Sequence, residues 1–420
     1  MHDFFQLVSP QELLDHCRAF SPLSEELIDL AHARGRVLCQ NLYCPEDLPP
    51  FSRSTMDGFA VRARDTFGCS ESEPVLLSLQ GEISMGEEGR QFSLEPGQCY
   101  RIWTGGELPR GADAVVMIEY TNLYSEDTVA VFRPLAPGDN IIAAGEDYTQ
   151  HAQVLSQGQL LRPQELGLLA GLGIQKIAVH RRPRVAILST GDELVPVSQK
   201  PHGGKIRDIN STTLASLVEE AGGVSQLHGI CGDDLEKLQK SCELALEEAD
   251  VLLLSGGSSV GRRDFTHRVF SSFPDSTLLA HGVSVRPGKP TILAKRNNQA
   301  LFGLPGHVAS AMVVFYLFVR PLLRRFLGLP ASHGLVPLQA ITAVQIPSVI
   351  GREDYVRVRL LATADLTIPS VEPVYGKSGL LNSLIKADGL LPIARDCEGL
   401  DAGVPVWILL FPQIPNLNQN

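Results

Sequence analysis

Apolar residues from position 185 onward follow two alternating patterns. Residues 185–188 and 251–254 are continuous apolar runs, which are typical of strands buried on both faces of a sheet. Apolar residues at helical spacing predict helices at 210–221 and 233–249. A third helix is predicted from near Asp264, and a long fourth helix from 308 to about 326. Strands that alternate with helices over about 140 residues predict a doubly wound α/β domain with a parallel sheet.

The patterns on either side of this region differ from it. Short apolar segments separated by Pro and Gly, at 76–79, 100–103, 114–118 and 129–132, predict a small β-rich domain. Alternating apolar positions at 355–360, and a final predicted strand at 405–410, indicate a return to β-structure after Pro330.

Helices are also expected before residue 182. Ser9 is the predicted N-cap of a helix with Pro10 at its first position and Leu13, Leu14 and Cys17 on one face. A second helix is predicted from Ser24 to about Ala33, and a third from 164 to 172, where Gly173 ends it.

Length, composition and charge indicate a multidomain protein that is not a general nucleic-acid binder. The chain has 420 residues, of which 44% are hydrophobic and 20% charged, and its formal net charge is −11. This length predicts several domains. An acidic chain does not attract phosphate backbones as a whole, so we expect no general nucleic-acid binding, although a local basic pocket could still hold a small anion.

The cysteines and the apolar stretches indicate where the protein is found. None of the eight cysteines forms a Cys-x-x-Cys motif, which argues against a zinc knuckle or a disulfide framework and favours reduced thiols. The first residues show no secretory leader, and the longest apolar stretch, 308–319, is too short to span a bilayer. We therefore expect a soluble, cytoplasmic protein without membrane contact.

Two glycine-containing loops follow the predicted strands. Residues 189–194 come after the first strand, and 255–261, with Gly256, Gly257 and Ser258, come after the second. Glycine lets backbone amides approach an anion, and ligands of open α/β sheets bind beyond the carboxyl ends of the strands. The second loop matches neither the Walker pattern nor Gly-x-Gly-x-x-Gly, so a tight connection without a ligand is the alternative.

Two further loops carry candidate binding groups. Residues 286–290 place Arg286 and Lys289 among two prolines and a glycine, and these cations suit phosphate or another oxyanion. Residues 303–307, with Pro305 and Gly306, precede the long predicted helix. The alternatives are a solvated surface turn for the first loop and an ordinary helix start for the second.

Several carboxylates lie beside glycines or turns. They are Asp57, Asp147, Glu193 and Asp264. Asp233 and Asp234 differ, because helix capping explains at least one of them. Acidic groups that converge on an anionic ligand require Mg²⁺ between them, unless a carboxylate accepts hydrogen bonds from the ligand's N–H groups. No Ser-His-Asp or Cys-His nucleophile pattern is present.

Seven short motifs follow one another along the chain, namely residues 54–60 (STMDGFA), 101–105 (RIWTG), 145–147 (GED), 189–194 (STGDEL), 255–257 (SGG), 287–290 (PGKP) and 303–306 (GLPG). In this order they resemble the molybdopterin molybdenumtransferase (MoeA) family, to which the gephyrin E domain also belongs. The resemblance covers almost the whole chain, and its specificity lies in the combination of motifs.

The resemblance implies four domains and an elongated homodimer. The implied domains are a helical one (1–45 and 146–181), a β-rich one (46–145), a molybdopterin-binding α/β domain (182–327) and a C-terminal β-barrel-like domain (328–413). The implied active site lies between the β-rich domain of one protomer and the α/β and C-terminal domains of the other. The implied reaction inserts molybdate, or tungstate, into adenylylated molybdopterin and releases AMP in a Mg²⁺-dependent step.

The resemblance also implies roles for individual residues. Those implied for catalysis are Asp57, Thr104, Asp147, Glu193 and Asp264. Those implied for binding molybdopterin and molybdate are Gly256, Gly257, Ser258, Arg286, Lys289, Pro305, Gly306, Arg352 and Ser378. Those implied for Mg²⁺ are Asp147, Glu193, Asp233 and Asp234. Expected protein partners are the adenylylating enzyme and recipient apo-enzymes, in transient contacts.

The chain departs from the family pattern at four positions. Arg286 replaces the usual leading lysine of Lys-Pro-Gly-Lys-Pro, Gly282 replaces a lysine common four residues earlier, and His307 and Val308 replace the Asn-Pro of Gly-Leu-Pro-Gly-Asn-Pro. One alternative function is a non-catalytic molybdopterin-binding scaffold of the same fold, which would not need the acidic set. Another is a nucleotidyltransferase that forms adenylylated molybdopterin, an activity of a shorter single-domain relative.

Overall fold

A computed structural model describes residues 7–256, 263–361 and 368–412 of the chain, which divides into two units. The smaller unit contains Ile28–Arg34 and Gln40–Ile177. The larger unit contains Met1–Leu27, Gly35–Cys39 and Ala178–Asn420. Gly257 and Ser258 lie outside the described residues, as does the side chain of Asp264. The four domain boundaries drawn from the sequence stay a prediction.

The smaller unit is built on a six-stranded sheet, as the short apolar segments predict. In spatial order its strands are Ala114–Met117, Gly58–Val61, Gln98–Ile102, Val75–Ile83, Thr128–Val131 and Thr121–Ser125. Two short ladders join Arg53–Ser54 to Ile141–Ile142 and Leu42–Tyr43 to Gln153–Leu155. The helix Pro163–Gly171 confirms the one predicted before Gly173.

Gly58 shows why this sheet needs a residue without a side chain. A Cβ at this position would lie 1.9 Å from the backbone oxygen of Val116 on the neighbouring strand. That separation is far inside van der Waals contact, so any other residue would force the strands apart.

The larger unit contains a second six-stranded sheet, which is mixed rather than wholly parallel. In spatial order its strands are Val224–Cys231, Arg184–Thr190, Val251–Gly256, Gln299–Leu304, Ile292–Arg296 and Ser276–His281. The first four are parallel, as predicted, and the last two are antiparallel to their neighbours. The helices are Asn210–Glu220, Leu235–Leu246, Arg263–Ser272, Val308–Val314 and Arg320–Phe326, the last two joined by a π-helical turn at Phe315–Val319.

Alternate residues of the central strands enter two separate cores. Val185 and Ile187 pack in one core and Ala186 and Leu188 in the other. Because successive side chains of a strand point to opposite faces, both faces of the sheet are covered. The predicted burial on both sides is therefore confirmed.

The first helix, Pro10–Arg18, begins as predicted. The Ser9 hydroxyl accepts a hydrogen bond from the Glu12 amide, and the Glu12 carboxylate accepts one from the Ser9 amide, which forms a capping box. Leu13 and Cys17 are fully buried in the core of the larger unit. Phe20 packs edge-on against Phe326, with ring centroids 5.7 Å apart.

The helix predicted from Ser24 to about Ala33 is wrong. The segment forms a strand, Glu25–Asp29, and a 3-10 turn, Leu30–His32. Ser24 accepts a backbone hydrogen bond from Arg181, and Leu30 donates one to Gln175. Gln175 and Arg181 flank the strand Lys176–His180, which pairs with Glu25–Asp29. These sequence-distant contacts hold the backbone extended where local spacing favours a helix.

The C-terminal region closes into a barrel. Its strands are Glu353–Leu361, Ser370–Pro373, Val336–Thr342, Pro405–Leu410 and Gly389–Ile393, and the last pairs back with the first. The short strand Val285–Arg286 adds to Glu353–Leu361 in parallel. Smaller elements are the helix Asn382–Ile385 and the ladders of Ile346–Pro347 with Gly399–Leu400 and of Leu194–Val195 with Ile206–Arg207.

Two expectations from composition can be compared with the structure. All eight cysteines are free thiols. Within the described ranges, the structure has no helix with the length and apolar character required to cross a bilayer.

Candidate functional site

A cleft of about 210 Å³ opens where the parallel strands of the larger unit end. We call it the strand-end cleft. The loops after three strands and the starts of the helices Asn210–Glu220 and Val308–Val314 border it. Its lining includes Thr190, Glu193, Asp208, Asn210, Ser255, Gly256, Gly306 and His307. Glu193, Gly256 and Gly306, all predicted site residues, therefore share one cleft.

Two glycines shape this cleft by having no side chain. Gly256 has φ +147°, and a Cβ there would lie 2.1 Å from the backbone oxygen of Thr190. Gly191 has φ +152°, and a Cβ there would lie 2.6 Å from the Glu193 carboxylate. Positive φ and these close approaches require glycine at both positions. The Glu193 carboxylate is thus placed against the turn that follows the first strand.

A chain of buried hydroxyls runs beside the cleft. The Asp208 carboxylate, on a residue only 5% exposed, accepts hydrogen bonds from the amide and the hydroxyl of Ser211. Ser211 Oγ lies 3.0 Å from Ser189 Oγ, which lies 3.1 Å from Ser255 Oγ. An ionised carboxylate only accepts hydrogen bonds, so Ser211 donates to Asp208 and the other hydroxyl protons point the same way along the chain.

A second cleft of about 280 Å³ lies between the loop at Arg286 and the barrel. We call it the barrel cleft. It is lined by Arg286, Pro287, Pro347, Asp354, Tyr355, Val356, Arg357, Val374, Tyr375, Gly376 and Ser378. The predicted residues Arg286 and Ser378 meet here. Two guanidinium groups, a serine hydroxyl and two tyrosines make it suited to an oxyanion.

Arg286 is not solely a solvated turn residue, because it pairs with a buried carboxylate. Its Nε lies 3.5 Å from Asp354 Oδ2, and the Asp354 side chain is 6% exposed. Burial raises the pKa of Asp354, whereas Arg286, a hydrogen bond from Ser348 and the charge of Arg352 lower it in part. Arg352 therefore lies close enough to act on the same carboxylate.

Arg357 is fixed by the loop that carries Ser378. Its Nη2 donates to the Gly376 carbonyl at 2.7 Å and its Nη1 to the Ser383 hydroxyl. Burial lowers the pKa of Arg357, as expected for a cation partly removed from water.

One hydrogen bond joins the two clefts. His307, which lines the strand-end cleft, has Nδ1 2.7 Å from the hydroxyl oxygen of Ser378, which lines the barrel cleft. The Ala309 amide also donates to the Ser378 carbonyl at 3.1 Å. The loop of the barrel is thereby attached to the start of the helix Val308–Val314.

In the smaller unit, Asp57 and Thr104 come together. Asp57 Oδ1 accepts hydrogen bonds from the Thr104 amide at 2.8 Å and from its hydroxyl at 2.7 Å. These bonds lower the pKa of Asp57, which keeps an exposed carboxylate ionised. Asp147 is exposed in a separate turn, where its amide donates to the Leu48 carbonyl.

The remaining predicted residues have mixed surroundings. Asp234 caps the helix Leu235–Leu246 by accepting from the Lys237 amide, and this bond lowers its pKa. The Asp233 amide donates to the Asp192 carboxylate at 3.0 Å. Pro305 is buried, and the Lys289 carbonyl accepts a hydrogen bond from the Val283 amide.

Across the described part of the chain, no three His, Cys, Asp or Glu side chains gather as a metal-binding group.

Sequence reasoning missed four residues of these clefts: Asp208, Asn210 as a lining residue, His307 as a hydrogen-bonding partner, and Asp354. Asn210 Nδ2 donates to the Gly306 carbonyl at 2.9 Å, so it fixes the cleft wall as well as starting a helix. The mostly polar run at 207–213, around the start of the helix Asn210–Glu220, is the sequence feature that could have indicated Asp208 and Asn210. Nothing in the local sequence indicates that Asp354 is buried beside Arg286.

Three family models match consecutive parts of the chain. They are the MoeA N-terminal region (domain I and II) over residues 8–173, a probable molybdopterin binding domain over 186–325 and the MoeA C-terminal region (domain IV) over 339–411. Apart from Gly379, the residues that line the strand-end cleft lie in the region matched by the second model, and the barrel strands lie largely in the region matched by the third.

Relatives match along almost the whole chain. Molybdopterin molybdenumtransferase 2 of Mycobacterium tuberculosis is 34% identical over 399 residues, which are 93% of this chain and 96% of that protein. Molybdopterin molybdenumtransferase of Bacillus subtilis is 33% identical over 397 residues, 92% and 90% of the two chains. The crystal structure of the molybdopterin biosynthesis MoeA protein from Pyrococcus horikoshii superposes with a TM-score of 0.82 at 32% identity, and the match covers 97% of this chain and all of that one.

Proposed function

The chain belongs to the molybdopterin molybdenumtransferase (MoeA) family, and from this premise we propose that it inserts molybdate into adenylylated molybdopterin with release of AMP. The observation that carries the proposal is the strand-end cleft, which unites Glu193, Gly256 and Gly306 within the region matched by a molybdopterin-binding model. The curated relatives named molybdenumtransferases support the same reaction.

The two clefts divide the binding of the substrates. The strand-end cleft holds the adenylylated pterin, where glycine turns and helix starts offer backbone amides to its phosphates. The barrel cleft holds molybdate, where Arg286 supplies charge and Ser378 a hydroxyl donor. Because a hydrogen bond between His307 and Ser378 joins the clefts, an oxyanion in the barrel cleft lies close to a pterin in the strand-end cleft.

Mg²⁺ fits this donor set as a bridge rather than as a caged ion. Magnesium commonly uses one or two carboxylates together with substrate phosphates and water. Glu193 and Asp208 both line the strand-end cleft and would supply those oxygens, and the ion would neutralise charge at the phosphoanhydride. Asp147, Asp233 and Asp234 stay predictions as further ligands.

Assembly and surroundings follow from the family. We propose a homodimer that works in the cytoplasm and meets the adenylylating enzyme and recipient apo-enzymes in transient contacts. The Asp57–Thr104 pair, assigned to catalysis, supports a site completed by a partner protomer, as the family resemblance implies. Sedimentation of only monomer at micromolar concentration, together with full activity, would contradict the dimer.

AMP release tests the reaction directly. Purified protein is mixed with adenylylated molybdopterin, molybdate and Mg²⁺, and AMP is measured by chromatography. We expect release by the parent, strong loss in Glu193→Gln, and parent-like release in Glu247→Gln, an exposed carboxylate beyond the helix Leu235–Leu246. Tight pterin binding without AMP release would establish the scaffold function instead.

A further inference from the structure

His307 is the cleft residue to which the proposed function has given no chemical role. It is exposed, lines the strand-end cleft and uses Nδ1 to contact Ser378. Within the described residues, its Nε2 has no hydrogen-bond partner. Nδ1, the ring nitrogen that makes a hydrogen bond, therefore faces Ser378, the serine proposed to bind the oxyanion.

The geometry of this contact is fixed from both sides. Asn210 holds the Gly306 carbonyl at 2.9 Å, and the Ala309 amide holds the Ser378 carbonyl at 3.1 Å. A Cβ on Gly379 would lie 3.7 Å from His307 Cδ2, so the imidazole ring lies against this residue. These contacts fix the backbone on both sides of the His307–Ser378 hydrogen bond, and Gly379 bounds the ring on one side.

The position of one proton decides what Ser378 offers to a ligand. A serine hydroxyl has one O–H donor and two acceptor lone pairs. If Ser378 donates to an unprotonated Nδ1, only lone pairs face the barrel cleft, and they repel an oxyanion. If Nδ1 carries the proton and donates to Ser378 Oγ, the serine O–H is free to bond the oxyanion.

We propose that His307 is a positioning residue that, through Nδ1–H, directs the Ser378 hydroxyl proton to the oxyanion in the barrel cleft. The proposal rests on the proposed function, because that function places molybdate beside Ser378. Occupancy of the barrel cleft then selects the Nδ1–H form of the ring, and the two clefts share one hydrogen-bond chain.

Three substitutions at one position separate donation from packing. His307→Asn keeps a side-chain N–H donor, His307→Asp keeps only an acceptor, and His307→Ala removes both. We expect the Asp variant, which accepts the serine proton, to raise the molybdate KM for AMP release at least about tenfold, the loss typical of one hydrogen bond to a charged group. The Ala variant, which leaves the serine O–H free but unoriented, should raise it by less. The Asn variant restores most of the affinity, and the KM for the pterin changes less than about twofold.

Two further variants complete the test. Ser378→Ala added to His307→Asp should cause little further loss, because the serine proton already points away from the oxyanion in that variant. His32→Ala, an exposed histidine in the smaller unit, should behave as the parent does. Equal molybdate KM in all His307 variants, or an Asn variant as weak as the Asp variant, would overturn the proposal.

Equilibrium dialysis with molybdate separates this inference from the proposed reaction. If the parent releases no AMP, the reaction assignment fails, while the order of molybdate affinity still tests His307. Parent and Asn variant binding more tightly than the Asp variant, with the Ala variant between them, supports the positioning role, and equal binding by all four refutes it.

Discussion

Removing Arg286 tests the ion pair on which the barrel cleft depends. Arg286→Ala leaves the Asp354 carboxylate with the Ser348 hydrogen bond and the more distant charge of Arg352. Breaking a fully buried pair costs about 3–5 kcal/mol, and an exposed pair contributes about 0–1 kcal/mol. Because Asp354 is buried and the Arg286 side chain is 46% exposed, we expect a loss between these limits, about 1–2 kcal/mol at neutral pH.

The loss should depend on pH in a definite direction. Burial already raises the pKa of Asp354, and Arg286 is the first of the groups that lower it, so Arg286→Ala raises this pKa further. A carboxyl whose pKa is raised on folding stabilises the protein when protonated and loses this effect as pH rises through the folded pKa. The difference between parent and variant should therefore shrink on acidification.

The measurement must report on the barrel alone, because a multidomain chain does not unfold in one step. Urea titration with pulse hydrogen exchange, followed by mass spectrometry of peptides from Glu353–Leu361, gives a local midpoint at each pH. Asp354→Asn in the Arg286→Ala background should recover most of the stability, and Arg268→Ala, on an exposed helix position, should have no effect there. A loss that is independent of pH, or a double variant no more stable than Arg286→Ala, would refute the ion-pair argument.

Three other predictions concern the predicted site residues. Gly256→Ala should weaken adenylylated-pterin binding at least about tenfold in equilibrium dialysis, because its Cβ collides with the Thr190 carbonyl; unchanged affinity would contradict this. Asp57→Asn should lower the rate of AMP release with an unchanged melting temperature, and Thr104→Ser should retain more activity than Thr104→Ala, since the hydroxyl donor is kept; equal rates for the two Thr104 variants would disprove its role. Glu193→Gln should shift the Mg²⁺ dependence of AMP release to higher concentration, and an unshifted curve would remove the proposed metal contact.

Local rules in the sequence predicted much of the fold. The Ser9 capping box, the paired cores of the central strands and the final strand Pro405–Leu410 each follow from short-range patterns. The failures occurred where distant segments decide the outcome. Backbone hydrogen bonds with Gln175 and Arg181 hold the segment after Ser24 extended. The hairpin of Ile292–Arg296 with Gln299–Leu304 makes one edge of the sheet antiparallel.

In the candidate site, too, local sequence patterns predict some residues, and contacts between distant residues escape prediction. Glu193, Gly256 and Gly306 are found from loops that follow strands, because the carboxyl ends of parallel strands share one edge. The contacts of Ser378 with His307 and of Arg286 with Asp354 join positions 71 and 68 residues apart, and spacing along the chain does not encode them. The pattern of apolar positions predicts where a strand lies, but it does not predict which side chain of a distant segment will face that strand across a cleft.

The helix Pro10–Arg18 sets an order for folding during synthesis. Cys17 contacts the Phe318 carbonyl across 301 residues of chain, and Phe20 packs on Phe326. At ribosomal rates of about 5–20 residues per second, this helix waits roughly 15–60 seconds for its partners to be made. Part of its apolar face stays exposed throughout that interval, because its contacts with Phe315–Val319 and Arg320–Phe326 form after those with the strand Ser276–His281. A segment translated early is thus among the last to reach its native place, and a nascent chain interrupted before residue 318 keeps a chaperone-accessible surface.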